Sequence, residues 1–129
     1  MIPADLEIDT GSRDQIIWAC SHLLGIRFHR PSCRMTLHLE LALDGDHPLH
    51  TPKLPGEAHC YRAARLAFSD YKLLNDSPPT LQIDIGPDGE GDLGDLHGIF
   101  HKRPGVFAVA GSFPMMVVQA SRAVLSFDP

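Results

Sequence analysis

Residues 33–43, CRMTLHLELAL, alternate without a break. Cys33, Met35, Leu37, Leu39, Leu41 and Leu43 fall on one side of an extended chain. Arg34, Thr36, His38, Glu40 and Ala42 fall on the other. A strand repeats every two residues, so this stretch lays one face on a core and leaves the other polar. The chain commits to a sheet here, and its other segments have to supply the neighbouring strands.

Several segments qualify. TLQIDIG (80–86) puts Leu81, Ile83 and Ile85 on one face, and LHGIFHK (96–102) reads as its partner. GVFAVAG, MMVVQA and RAVLSF follow as three short apolar strands, separated by SFP and by Ser121. Residues 58–69 carry two periods. Ala58, Cys60, Ala64, Leu66 and Phe68 fit a strand with Arg62 out of phase, whereas Tyr61, Ala64, Ala67 or Phe68, and Tyr71 fit a helix. The strand-like surroundings favour a strand ending near Ser69. HPLHTPKLPGE (47–57) holds three prolines and reads as a loop.

One segment predicts a helix, over about residues 13–24. Ser12 with Gln15 three positions on has the spacing of a capping box, and Asp14 suits the positive end of a helix dipole. Ile16, Ile17, Cys20, Leu23 and Leu24 then follow the i, i+1, i+4, i+7, i+8 spacing of one apolar face, with Gly25 placed to close it. The expected fold is α+β and mostly β: an antiparallel sandwich or partly open barrel, with this helix plugging an end or covering a face. A chain of 129 residues fits one domain, 1–129.

Charge narrows the partners. Eleven Lys and Arg against sixteen Asp and Glu leave a net charge of −5. Duplex binding needs clustered cations, and the nearest approach, Arg27, Arg30 and Arg34, is interrupted by apolar residues and Pro31, so nucleic acid is not expected. No run of 18 apolar residues predicts a membrane span, and the acidic start of the chain does not read as a signal peptide. Cys20, Cys33 and Cys60 are odd in number and lack a C-x-x-C pair, which suits unpaired thiols and a cytoplasmic location.

The negative charge gathers in QIDIGPDGEGDLGDLHGIF (82–100), with five acids and five glycines. Set in a twelve-residue calcium loop, Asp84, Asp88, Asp92 and Asp95 fall at positions 1, 5, 9 and 12, with Gly89 at the turn position 6. Against that, Gly86 stands where a carboxylate is needed, and the flanks read as strands rather than as the helices of such a site. A hairpin turn through Pro87-Asp88-Gly89 explains the same residues without a metal. The acids Asp88, Glu90, Asp92 and Asp95 would then face solvent and attract a basic partner protein.

Eight histidines supply a second theme. His47, His50 and His59 with Glu57 occupy one loop region, and three imidazoles with a carboxylate suit an open zinc or iron site. His38 and Glu40 share a strand face and are available to the same set, with Glu40 or Glu57 as a general base. His97 and His101 share a face but lie too far apart on a strand to chelate. Cys60 follows His59 directly, but strand neighbours point to opposite faces, so the pair makes no activated thiolate. No nucleophile elbow and no phosphate-binding glycine loop is present. The expectation is an interaction module that engages a basic protein through its acidic loop. The alternatives are a metal-dependent enzyme at the histidine loop and a weak calcium-binding domain. FPMMVV offers a dimer contact if it lies on a sheet edge.

Overall fold

A computed structural model describes residues 6–29, 32–52, 55–56, 59–74, 94–112 and 115–128. Nine strands form within them: β1 (Leu6–Ile8), β2 (Ile16–His29), β3 (Arg34–Leu43), β4 (Cys60–Ser69), β5 (Lys72–Leu73), β6 (Gly94–Arg103), β7 (Val106–Gly111), β8 (Met116–Gln119) and β9 (Arg122–Phe127). They make one sheet in the order β1-β9-β4-β3-β2-β6-β7-β8-β5. Every pairing is antiparallel except that of β1 with β9, which is parallel, so the sheet is mixed.

The expected α+β fold is overturned, and with it both the packed antiparallel sheets and the N-terminal helix. Only a single 3-10 turn, Arg13–Gln15, remains of the helix, and the chain then runs straight into β2. The capping signals were real but local: the Ser12 N–H donates to Gln15 Oε1 (3.0 Å) and the Gln15 N–H to Ser12 O (3.1 Å).

The register of β2 with β3 is broken twice. Between the pairs Ile17–Ala42 and His22–Glu40, residues 18–21 face Leu41 alone. Between Leu23–Leu39 and Gly25–His38, Leu24 is the extra residue. Each break shifts the side-chain parity, so the buried positions become Ile16, Ser21, Leu23, Gly25 and Ile26 rather than a strict alternation. The expected helical face is therefore not the buried one: of Ile16, Ile17, Cys20, Leu23 and Leu24, only Ile16 and Leu23 are buried. Ser21 secures the first break: its Oγ donates to Ile17 O and accepts the Ala42 N–H, both at 2.9 Å, with the residue fully buried.

The two ends of the sheet are tied together along the chain. Asp70, at φ 51°, and Tyr71 separate β4 from β5, and Ala120–Ser121 separates β8 from β9. Because β4 pairs β9 while β5 pairs β8, one two-stranded ladder continues across both breaks. The Ser121 N–H donates to Ser69 O (2.9 Å), and its Oγ to Asp70 Oδ2 (2.7 Å). The sheet thus rolls over on itself. Phe68 on β4 and Phe107 on β7, both fully buried, bring their rings to 5.7 Å although β3, β2 and β6 lie between them in strand order.

β3 buries the expected face, Met35, Leu37, Leu39, Leu41 and Leu43, while Thr36 and Ala42 of the opposite face are buried too. Residues 60–69 are a strand, ending at Ser69. β6 pairs with β2 and β7; its expected partner at 80–86 lies outside the described residues. β8 lies between β7 and β5, so the apolar FPMMVV stretch supplies an internal strand from Met116 on rather than an edge. Cys33 is exposed, at φ 52° in a turn, and is not a core residue as the alternation implied.

Candidate functional site

The outer face of the sheet carries a cleft of about 370 Å³ across β2, β3, β4 and β9. Register explains its shape. One cross-strand row is Arg27–Thr36–Ala67–Val124, and the next is Gly25–His38–Arg65–Ser126. Small or short side chains at Thr36, Ala67 and Ser126 leave a floor, while long cationic ones rise around it. His29 and Arg34, themselves paired across β2 and β3, close one end, and Phe127 with Asp128 lies at the other.

The chemistry of the cleft is cationic. Among the described residues lining it, Arg27, Arg34 and Arg65 supply three guanidiniums, His29 and His38 two imidazoles, and Asp128 one carboxylate. Asp128 Oδ1 accepts from Arg65 Nε at 3.0 Å, with both side chains substantially exposed, so the pair is weak and open to exchange. Arg34 is exposed, and no described carboxylate lies within ion-pair distance of it. Burial pushes the His38 pKa down, and the neighbouring Arg27 and Arg65 add to that, with Asp128 opposing. An anion bound beside it would oppose that shift and favour the protonated imidazole.

The sequence-predicted sites fare differently. His47 is buried at 3% exposure and uses both ring nitrogens: Nδ1 accepts the Leu49 N–H at 3.0 Å, and Nε2 donates to Thr10 O at 3.1 Å. Its ring also meets Phe127 edge-on at 5.0 Å. Those contacts hold a turn and leave no lone pair for a metal. His50 is exposed in that turn, its N–H donating to His47 O, and His59 packs edge-on against Tyr61 at 6.1 Å. Glu57 lies outside the described residues. Among the described residues, no three His, Cys, Asp or Glu side chains gather as a metal site.

Of the acidic stretch, Asp84, Asp88, Glu90 and Asp92 lie outside the described residues. Asp95 stands in β6 opposite His22, with its Oδ1 3.2 Å from His22 Nδ1, and its N–H donates to Ser112 Oγ. Glu40 faces His22 from the other side, on β3. His101 stacks on Phe107 at 5.2 Å, while His97 is exposed. Among the described residues, no helix is long and apolar enough to cross a membrane.

Arg27 and Arg34 stand seven positions apart along the chain and form no local cluster. The useful signal was parity: Arg34, Thr36 and His38 alternate on the polar face of the clearest strand. Arg65 comes from a strand 27 residues beyond His38, and only the pairing reveals that the two are neighbours. Comparison of the chain with protein families, curated proteins and solved structures returned no match.

Proposed function

We propose that the chain is a binding module for a small anionic ligand, seated in the cleft formed by Arg27, Arg34, His38 and Arg65. One observation carries this reading. In a chain of net charge −5, three guanidiniums and two imidazoles converge on one concavity that holds a single carboxylate among the described residues. Gathering like charges costs free energy, and an anion recovers it through charge-assisted hydrogen bonds. The concavity is compact, whereas a nucleic-acid duplex presents its phosphates along an extended track. A small ligand suits it better. The module class matches the expectation from sequence; the surface and the sign of the partner's charge do not.

The test is a thermal-unfolding titration with sodium phosphate at constant ionic strength. The melting temperature is expected to rise with phosphate, by an amount equivalent to about 2.7 kcal/mol once the free ligand reaches about one hundred times Kd. The Arg34→Ala/Arg65→Ala double variant should fold and lose most of that rise. An equal rise in both proteins would refute the reading.

A further inference from the structure

We infer that anion binding in the cleft is coupled to uptake of a proton by His38, so that the ligand is held more tightly in mildly acidic solution than at neutral pH. This rests on the anion-binding reading and adds to it how the site responds to pH.

Register places His38 beside a cation that would hold the anion. It pairs directly with Arg65 on β4, and with Gly25 on β2. Register partners keep their Cβ atoms about 4.5–5.5 Å apart, so an anion seated on Arg65 lies within reach of the imidazole. Gly25 presents no side chain, which leaves the ring open towards β2. His38 is half-buried and lines the cleft. Among the described residues none hydrogen-bonds either of its ring nitrogens, unlike those of His47. A nitrogen of His38 can therefore take up a proton and donate it to an anionic oxygen.

The charged groups around the ring set the direction. Arg27 and His29 approach it from β2, Arg65 from β4 and Asp128 from beyond β9. Glu40 follows two residues along β3, on the same face. Burial first, then Arg27 and Arg65, hold the His38 pKa below its ordinary value, with Asp128 opposing them. A bound anion adds negative charge among those cations and raises that pKa. By linkage, affinity climbs as pH falls through the pKa of the bound form and levels off below that of the free form. The gain is about tenfold for each unit between the two.

Calorimetry with sodium sulfate at constant ionic strength tests the coupling, at pH values from about 7.5 to 5.5 that bracket the ordinary histidine pKa of about 6.5. Sulfate keeps both charges over this range, whereas a phosphate takes up a proton within it. The association constant is expected to rise on the order of five- to tenfold as pH falls across the range. Part of a proton should be taken up per sulfate, read from the binding enthalpy in buffers of different ionisation enthalpy. His38→Gln keeps a neutral polar side chain and should bind as the wild type does at the upper end of the range, with little dependence on pH. His29→Gln should keep the wild-type dependence. Imidazole NMR of the wild type reads the same event without a substitution: the His38 pKa should rise at saturating sulfate. An affinity independent of pH with no proton uptake overturns the coupling, as does an unmoved His38 pKa. A dependence that survives in His38→Gln gives the proton to another group and overturns the role of His38. Absence of sulfate binding at every pH overturns the anion reading itself, a result distinct from binding that ignores pH.

Discussion

His47 shows how much one buried imidazole can hold. Burial is the main cause that lowers its pKa, and the bond to Thr10 only partly offsets it. A histidine whose folded-state pKa lies below its unfolded value of about 6.5 binds fewer protons folded than unfolded. Its contribution to stability is therefore complete above pH 6.5 and is lost as pH falls from there through the folded pKa. One such group gives a slope of at most about 1.4 kcal/mol per pH unit, and His38 contributes in the same direction. Urea unfolding at a series of pH values should show stability dropping below pH 6.5. His47→Gln, which keeps a neutral polar side chain, should reduce that slope and leave the His38 share. Gly11 presses on the same ring. It sits at φ +78°, and an added Cβ would lie 2.5 Å from His47 Nε2. Gly11→Ala is expected to cost on the order of 1–3 kcal/mol, read as a lower denaturation midpoint at pH 8. From the sequence His47 reads as one of a group of possible metal ligands with His50, His59 and Glu57, and its burial is a tertiary fact. A loop rich in proline and histidine reads the same whether its imidazole faces solvent or lies beneath Thr10.

Among the elements, β2 is where local pattern and structure part. Its residues carry both a helical spacing and β-favouring Ile16, Ile17 and Trp18. The deciding factor is that β3 and β6 flank it and offer backbone partners on both edges. A helix at this position would leave the inner edge of β3 without a ladder, and unpaired buried backbone is more costly than a modest propensity. Ser21 makes the irregular pairing tolerable by taking the Ala42 N–H that the bulge leaves without a backbone carbonyl. Ser21→Ala should strand that buried donor and cost about 1–3 kcal/mol in equilibrium unfolding, with the denaturant slope unchanged. Ser21→Thr, which keeps the hydroxyl, should preserve more stability if the extra methyl is accommodated. Strands β3, β4 and β6 to β9 were legible because their apolar residues alternate or run continuously between turn residues. The pairing of β6 was not, since nothing along the chain marks which of several apolar strands lies beside it.

For the whole molecule, closure matters more than any single strand. The ladder that runs through β4/β9 and on through β5/β8 rolls the sheet until Phe68 and Phe107 touch, enclosing the core between distant strands. Phe107→Ala removes a fully buried ring from that seam and is expected to cost about 3–5 kcal/mol. Set against a typical total of about 5–15 kcal/mol, this brings the protein close to unfolding at 37 °C, visible as a large fall in melting temperature. The conservative Phe107→Leu should lose clearly less.

The division between sequence and tertiary structure follows from the range of the forces. Alternation, turn residues and the apolar content of each segment act within a few residues, so the commitment of 34–43 to a strand with one face on the core, and of the C-terminal third to short strands, stood in the sequence alone. Net charge did too, as a sum. Where the charge sits did not. Arg27, Arg34, His38 and Arg65 become one cationic cleft only because register places four strands side by side with short side chains between the long ones. Register is chosen by the burial of the opposite face, through contacts between residues far apart in the chain, and no local pattern encodes that choice.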